Sequence, residues 1–377
     1  MSVTPYRTIA SPIVASTAFV MELTLVPLLL PIIQSGYDLT VGDIAWFFNV
    51  YGIAVALGVI AGGWVGDVFG ARRIFGTGVL MFTLGALVVI SAEGFMTLLI
   101  GRALQGFGGG LFSPVVPVLL TKALPQKPGK ILIIWGSVTG YVAAFAPLAA
   151  GWAIGLFGWQ SVFALFAIMA SAALALSLDR APEVAPTRGR VLPNLRLLFG
   201  IRNLWFVFGY IFCTYGAITF YLFSLPFRLT DGGFGAEAIG ILLAAIWLSF
   251  SVSSTLLRNS VDGPQITWVV MAAPLLIAGS FFTAYLSDHI LMLLASAVLI
   301  GAGFACSNAP STQLVLKFAP DGLRSVSTSL DITFARLGGV ATVALLAQLD
   351  IALSFAAVIL FSLSAGVLAR VVSKEFA

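Results

Sequence analysis

Charged residues, cysteine and histidine are all scarce in this sequence. Only 9% of its 377 residues are charged and 60% are hydrophobic, whereas soluble domains carry roughly 25% charged residues. The two cysteines, Cys213 and Cys306, each lie inside an apolar run, where a thiol acts as a small core residue rather than as half of a disulfide. The single histidine, His289, falls in a predicted external turn. We therefore expect no metal centre, no cofactor, no catalytic triad and no enzyme activity.

Long apolar runs are what the sequence has in abundance. Each is about 20 residues or more, the length that an α-helix needs to cross a bilayer. The runs lie near residues 9–33, 42–66, 74–92, 96–121, 131–156, 159–178, 203–226, 236–257, 266–286, 289–315, 325–348 and 351–372. We predict an all-α integral membrane protein with twelve transmembrane helices. The first run is too long for the core of a cleavable signal peptide, so we expect none.

One polar stretch divides these runs into two halves of six. Residues 179–202 contain three prolines and five arginines, a composition typical of a semi-extended connector. We predict a six-helix bundle over 1–178, a cytoplasmic linker over 179–202 and a second six-helix bundle over 203–377. Within the linker, Leu192 to Ile201 is predicted to form a short amphipathic helix on the membrane surface.

Lysine and arginine in the loops predict the orientation. If the odd-to-even connections lie outside, Arg228 is the only basic residue there. Because basic loops stay in the cytoplasm, both termini are predicted to be cytoplasmic and the protein to lie in the inner (cytoplasmic) membrane. The basic residues are dispersed over loops, so the net charge of +4 does not indicate nucleic-acid binding. We expect a monomer in the lipid bilayer.

A glycine-rich segment that ends in charged residues joins the second and third predicted helices. It reads GGWVGDVFGARR, from Gly62 to Arg73. Glycine allows two helices to turn back on each other closely, and the arginines hold the turn in the cytoplasm. Its pattern resembles the loop signature between helices two and three of the major facilitator superfamily, carried here by Gly63, Asp67, Gly70, Arg72 and Arg73. Val68 stands where that family usually has a basic residue.

This resemblance implies a fold of six plus six helices with a substrate held between the halves. It also implies that Asp67, together with Arg72 and Arg73, acts as a cytoplasmic gate that stabilises the outward-open state.

An acid lies deep inside the first predicted helix. Glu22 is about thirteen residues into it, roughly 20 Å from its cytoplasmic start. A carboxylate at that depth is costly and should face a cavity or a partner; it either exchanges protons or is simply neutralised or paired. The segment resembles the first-helix pattern of drug:proton antiporters, in which an acid is followed by a threonine and a proline, here Thr24 and Pro31. The resemblance implies that Glu22 carries a proton.

An arginine lies inside the fourth predicted helix. Arg102 is followed by Gln105 and Gly106, which resembles the fourth-helix signature of the same family. It lies roughly 9 Å from the outer end of the helix, at a depth close to that of Glu22. We expect the two charges to act on each other, directly or through water. The alternative is a structural arginine that binds backbone carbonyls.

The fifth predicted helix matches only part of a family motif. Pro147 and Gly151 fit the glycine-rich motif associated with antiporters, whereas Ala146 and Ala150 replace glycines. The resemblance implies a gating role for Pro147.

The second half has its own intramembrane charges. Asp331 and Arg336 are five residues apart on one predicted helix, which is not a same-face spacing, so no bridge between them is expected. Asp331 either faces the cytoplasmic vestibule or bonds another helix, and it is a second candidate for proton coupling. Arg336 is either a positive substrate site or a packing residue. The remaining candidate cavity residues are polar or aromatic residues near helix middles: Asn49, Tyr51, Tyr141, Tyr215, Trp247 and Asn308.

These features predict a proton-coupled secondary transporter, most similar to the drug:proton antiporters, that exports a small amphipathic organic compound. One alternative is a proton-coupled importer or a facilitator of a small organic anion, with Arg102 and Arg336 as the anion site. Another is a non-transporting scaffold or sensor of the same fold. The expected partners are a small-molecule substrate, protons and lipid.

Overall fold

The chain forms two compact units. The computed structural model describes residues 5–177, 196–257, 260, 265–320 and 323–373. The N unit comprises Met1–Leu39 and Trp46–Val191, and the C unit comprises Thr40–Ala45 and Leu192–Ala377.

Long helices make up both units. Within the described residues, those of the first half are α1 (Pro5–Gly36), α2 (Val41–Phe69), α3 (Ala71–Ile90), α4 (Phe95–Phe112), α5 (Val116–Ala123), α6 (Pro128–Phe157) and α7 (Gln160–Ser177). Those of the second half are α8 (Arg196–Phe199), α9 (Arg202–Asp231), α10 (Ala236–Leu257), α11 (Ile266–Leu286), α12 (Ile290–Phe318), α13 (Arg324–Leu346) and α14 (Ile351–Ser373).

The described part of the chain contains twelve helical segments long and apolar enough to cross a membrane, with Phe95–Ala123 counted as one segment. This confirms the all-α fold with twelve transmembrane helices. Of the predicted linker, the described residues contain the single turn α8 and the start of α9. Residues 178–195, with the first four residues of the predicted amphipathic helix, lie outside the described residues.

Two of the predicted spans differ in detail from the helices of the structure. The helical conformation of α2 continues through the glycines to Phe69, so the turn before α3 is the single residue Gly70, whose φ of 94° favours glycine. The fourth span was predicted as one helix, but a 3₁₀ turn at Ser113–Val115 separates α4 from α5. Pro114 and Pro117 explain the break, because proline lacks the N–H that an α-helix uses and clashes with the preceding turn.

Aromatic side chains form the core of the N unit. Phe112 of α4 meets Phe19 of α1 and two phenylalanines of α3, Phe75 and Phe82, edge to face, with ring centroids 5.7, 5.9 and 6.0 Å apart. All four rings are buried. Edge-to-face contacts are favourable because the positive ring edge meets the negative ring face. These contacts hold α4 against α1 and α3, which positions the charged residue of α4 described below.

The C unit has a comparable core around α11. Phe281 contacts Tyr221 of α9 and Phe355 of α14 edge to face, at centroid distances of 5.4 and 5.1 Å. Hydroxyl groups add interhelical hydrogen bonds: Tyr221 bonds Ser296 of α12, and Tyr210 donates to the carbonyl of Val270 at 3.0 Å. Such bonds satisfy polar groups that the membrane cannot solvate.

Candidate functional site

A buried ion pair joins α1 to α4 in the N unit. Arg102 Nη1 donates to Glu22 Oε1, and each side chain is only 1% exposed. The same Nη1 donates to Gln105 Oε1 at 2.9 Å. Gln105 lies three residues after Arg102, and this spacing puts both side chains on one face of the helix. The structure therefore brings Glu22 and Arg102 into direct contact.

Three aromatic rings enclose the guanidinium group. The Cζ atom of Arg102 lies 4.2 Å from the ring centroid of Tyr51, 5.1 Å from that of Phe47 and 6.0 Å from that of Phe163. The rings come from α2 and α7 and are themselves buried. The negative ring faces attract the cation, and the attraction is stronger when water is absent. The aromatic rings therefore help to offset the cost of desolvating Arg102.

Close helix packing explains how this pair can be buried. A Cβ atom added at Gly58 of α2 would lie 2.9 Å from Gly110 Cα on α4. On the other side of α4, a Cβ atom at Gly85 of α3 would lie 2.7 Å from the carbonyl oxygen of Gly101. Only glycine permits such backbone approach, so α4 packs directly against both neighbours. Gly101 is adjacent to Arg102, which fixes the depth and direction of the arginine.

The segment around Gly70 was predicted as a gate. Arg72 Nη2 donates to the carbonyl of Ser177, the last residue of α7, at 2.5 Å. An arginine at the C-terminal end of a helix satisfies an unpaired carbonyl and the negative end of the helix dipole. Arg73 is exposed, and Gly63 is half-buried in α2. The side chain of Asp67 lies outside the described part of the structure, so the gate stays a prediction.

Pro147 is buried inside α6, which remains helical from Pro128 to Phe157. Of the other candidates in the N unit, Asn49 is buried in α2 and Tyr141 of α6 is 62% exposed. Neither belongs to the Glu22–Arg102 pair.

Asp331 of α13 bonds a neighbouring helix. Its Oδ2 accepts from Thr312 Oγ1 of α12 at 2.9 Å, and the side chain is 4% exposed. The other oxygen, Oδ1, has no hydrogen-bond partner among the described residues, although Ser311 lies beside the carboxyl group. No ion pair joins Asp331 to Arg336 within the described residues. Of the two predicted environments, the structure shows the bond to another helix.

Arg336 lies over an aromatic ring in the C unit. Its Cζ is 5.5 Å from the ring centroid of Tyr215 on α9. Tyr215 contacts Phe304 of α12, whose ring in turn contacts Trp247 of α10. Three of the predicted substrate contacts are therefore connected through Phe304. Asn308 is exposed one turn farther along α12.

Several residues that matter here were missed from the sequence. Gln105 was seen only as part of a motif, although its spacing from Arg102 signals a shared face. Phe47 was not singled out, although it lies four residues before the candidate Tyr51, a spacing that also signals one face of a helix. No sequence signal connects α7 to this site, so Phe163 needed the structure.

The comparisons with known proteins agree with this architecture. The sequence profile described as Major Facilitator Superfamily matches residues 13–343. Among solved structures, a peptide transporter in complex with sulfate aligns with a TM-score of 0.78 and 16% identity, covering 98% of this chain and 93% of the other. A nucleoside transporter aligns with a TM-score of 0.78 and 13% identity over 97% of this chain and 99% of the other. At such identities the likeness shows the fold.

Curated relatives share more of the sequence but only over part of their length. A "Multidrug resistance protein B homolog" of Mycobacterium tuberculosis is 31% identical over 205 residues, 54% of this chain and 38% of that protein. A "Tetracenomycin C resistance and export protein" of Streptomyces glaucescens is 30% identical over 199 residues, 50% of this chain and 37% of that protein. A "Methylenomycin A resistance protein" of Streptomyces coelicolor is 25% identical over 266 residues, 69% of this chain and 52% of that protein. Together with the twelve-helix fold, the profile match over most of its length shows that this chain belongs to the Major Facilitator Superfamily.

Proposed function

We propose that the protein is a proton-coupled antiporter of the inner membrane that exports a small amphipathic organic compound. The observation that carries the proposal is the Glu22–Arg102 ion pair, buried within two membrane-spanning helices. A fold that needs only stability gains little from such a pair, since desolvation offsets most of the Coulomb attraction. Ionisable groups at this depth are typical of proton pathways.

The pair can work as a proton switch. Arginine stays protonated at any pH that the protein meets. While Arg102 contacts Glu22, it stabilises the carboxylate and keeps the proton off. When the two separate, a carboxylate left without its counter-charge inside the membrane binds a proton instead. Gln105, which also accepts from Arg102 Nη1, can hold the arginine in place while Glu22 is neutral.

In the proposed cycle the substrate site opens to one side of the membrane and then to the other. Substrate and proton use the two states in turn, so that protons move inward while the substrate moves outward. The named resistance and export functions of the relatives support this direction. The loop arginines support an arrangement with both termini in the cytoplasm, and the predicted bundles 1–178 and 203–377 would be the moving parts. We propose that the transporter works as a monomer.

Proteoliposomes test the direction and the coupling together. The purified chain is reconstituted, a pH gradient is imposed, and uptake of ethidium, 2-naphthoate and Nile red is followed against protein-free liposomes. An antiporter accumulates a compound when the lumen is acidic, because outward proton flow drives inward movement. Accumulation only with an alkaline lumen indicates an importer. The absence of gradient-driven movement of any compound over the protein-free control contradicts the proposal and leaves the facilitator and scaffold alternatives.

A second candidate is a facilitator of an organic anion. Arg102 is occupied by Glu22, so it does not serve as the anion site in this conformation. Arg336 favours the candidate, because no acid pairs with it among the described residues. Proton-independent movement of 2-naphthoate in the same assay would support this second function.

A further inference from the structure

The C unit carries one cation and a row of aromatic rings near the middle of four helices. Tyr215 lies thirteen residues after the start of α9, Trp247 eleven after the start of α10, Phe304 fourteen after the start of α12, and Arg336 twelve after the start of α13. All four helices are candidate membrane spans. These side chains therefore meet far from the helix ends.

The described residues offer Arg336 an aromatic ring and no counter-charge. Its guanidinium group lies over the ring of Tyr215 and has no ion pair or hydrogen bond within the described part of the chain. The side chain is half-buried in a span that extends from Val326 to Leu346. An arginine at this depth is costly unless it faces water or a counter-charge. Its planar fork of N–H donors matches a carboxylate, which it can bind through two parallel hydrogen bonds.

Aromatic rings continue from Arg336 without a gap. Tyr215 meets Phe304 edge to face at 5.6 Å, and Phe304 meets Trp247 at 5.7 Å and Phe250 at 4.6 Å between ring centroids. Tyr215 and Phe250 are half-buried, so part of each ring is open to a ligand. Rings at such spacings accept a further flat ring by edge-to-face or offset stacking.

A second unsatisfied donor lies at the far end of this row. Trp247 is 6% exposed, and its indole N–H finds no acceptor among the described residues. Buried indole N–H groups usually have a hydrogen-bond partner, because an unpaired donor loses the bond that water would have made. The rings of Phe250 and Phe304 lie next to Trp247, each at a centroid distance of 5.7 Å.

We propose that Arg336, Tyr215, Phe250, Phe304 and Trp247 form a binding site for a flat aromatic carboxylate. The carboxylate pairs with Arg336, the aromatic body stacks among the rings, and an acceptor atom at the other end meets the N–H of Trp247. A cationic compound is disfavoured because Arg336 repels it. As the site of the exported compound, this assignment rests on the proposed function, but binding itself needs no proton gradient.

Direct binding tests the site. The full chain is purified into lipid nanodiscs, and the affinity for 2-naphthoate, its neutral isostere 2-naphthamide and the saturated decahydronaphthalene-2-carboxylate is measured by equilibrium dialysis against empty nanodiscs. We expect 2-naphthoate to bind at least roughly tenfold more tightly than 2-naphthamide, since a charge-assisted hydrogen bond is worth about that factor or more. Against decahydronaphthalene-2-carboxylate, which keeps the carboxylate and loses only the aromatic faces, we expect a difference of roughly threefold or more. Equal affinities for 2-naphthoate and 2-naphthamide, or no binding of 2-naphthoate, would overturn the proposal.

Variants locate the binding. Arg336→Gln should weaken 2-naphthoate binding roughly tenfold or more while leaving 2-naphthamide unchanged. The matched control is Arg202→Gln, because Arg202 also lies over a ring, Phe206 at 5.0 Å, but is exposed at the first residue of α9. A loss of affinity in Arg202→Gln equal to that in Arg336→Gln counts against the site.

If Arg336→Gln fails to fold, Trp247→Phe decides, because it keeps a ring and removes only the N–H. The affinity of this variant should fall for a ligand with a distal acceptor, such as 6-hydroxy-2-naphthoate. An unchanged affinity overturns the proposal.

Failure of the site and failure of the antiport give different results. Gradient-driven uptake of ethidium without binding of 2-naphthoate would overturn the site and leave the antiport standing. Arg336-dependent binding without gradient-driven transport would do the opposite.

Discussion

Arg102 Nη1 donates to Glu22 Oε1 across α4 and α1, and neither side chain is more than 1% exposed. The fold therefore holds opposite charges in contact at a place where each alone would be costly. Removing one partner of such a pair typically costs about 3–5 kcal/mol, because the other charge stays buried and unpaired. The loss of stability on removing one partner therefore measures the structural contribution of the pair separately from its contribution to transport.

Glu22→Gln tests both contributions. Glutamine has nearly the same size and remains neutral, so it mimics the protonated acid. We expect gradient-driven transport to be lost and the substrate-induced release of protons in weak buffer to disappear, while substrate binding or exchange continues. Because Arg102 loses its counter-charge, the free energy of unfolding should also fall by about 3 kcal/mol. Proton release equal to that of the unmutated protein would place the carrier elsewhere, with Asp331 as the next candidate.

Packing against α4 allows a test with a control in the same helix. A Cβ atom at Gly85 would lie 2.7 Å from Gly101 O, whereas one at Gly76 meets nothing within 4 Å. Gly85→Ala should push α3 from α4 and destabilise the protein by about 1–3 kcal/mol. Gly76→Ala should be neutral or stabilise by about 0.5–1 kcal/mol, because alanine favours a helix over glycine. Denaturant titrations of both variants in detergent measure the difference, and equal stabilities would contradict the close packing.

Hydropathy and helical spacing predict most of the architecture, since each span must satisfy its own backbone hydrogen bonds and therefore appears as a long apolar run. Local chemistry explains where the predicted helix ends differ from the observed ones. The glycines from Gly62 onward looked like a turn, but a glycine against a neighbouring backbone keeps the helical conformation. Among the described glycines of this segment, Gly70 alone has a positive φ.

The contact between Glu22 and Arg102 was expected from their similar depths, but its directness was left open. The rings around Arg102 come from helices distant in sequence, and no periodicity within one helix reports which helices touch. For the same reason, the sequence did not predict the contacts that connect Tyr215 through Phe304 to Trp247. Depth along a helix is therefore readable from the sequence, whereas the partner across the interface is not.

The adjacent residues Arg72 and Arg73 allow a direct comparison of two arginine variants. Arg72 donates to the carbonyl of Ser177 at the end of α7, while the side chain of Arg73 is exposed. Arg72→Ala should lower the free energy of unfolding by about 1 kcal/mol through loss of the hydrogen bond and the helix-dipole interaction. Arg73→Ala should cost less. Hydrogen exchange of the last turn of α7 should rise in the first variant alone; a rise in both, or in neither, would contradict the capping role.

Asp331 provides the contrast to Glu22. Its carboxyl group accepts one hydrogen bond, from Thr312, and has no cationic partner among the described residues. The fold therefore does not use its charge, and Asp331→Asn, whose amide oxygen can still accept from Thr312, should change the free energy of unfolding by less than about 1 kcal/mol. Asp331→Ala removes this acceptor and leaves the hydroxyl of Thr312 with the carbonyl of Asn308 at 3.3 Å, so it should cost about 1–1.5 kcal/mol.

The pair Asp331→Asn and Glu22→Gln thus makes the same chemical change at two buried acids, with opposite expectations for stability. Denaturant titration in detergent measures each variant against the unmutated protein. If Asp331→Asn destabilises the protein as much as Glu22→Gln, the carboxylate of Asp331 has a charged partner in the folded state, and the two acids share the same structural role. If only Glu22→Gln destabilises, the neutral form of residue 331 fits the fold as well as the charged form, and a change of charge at Asp331 during the transport cycle costs the fold no stability.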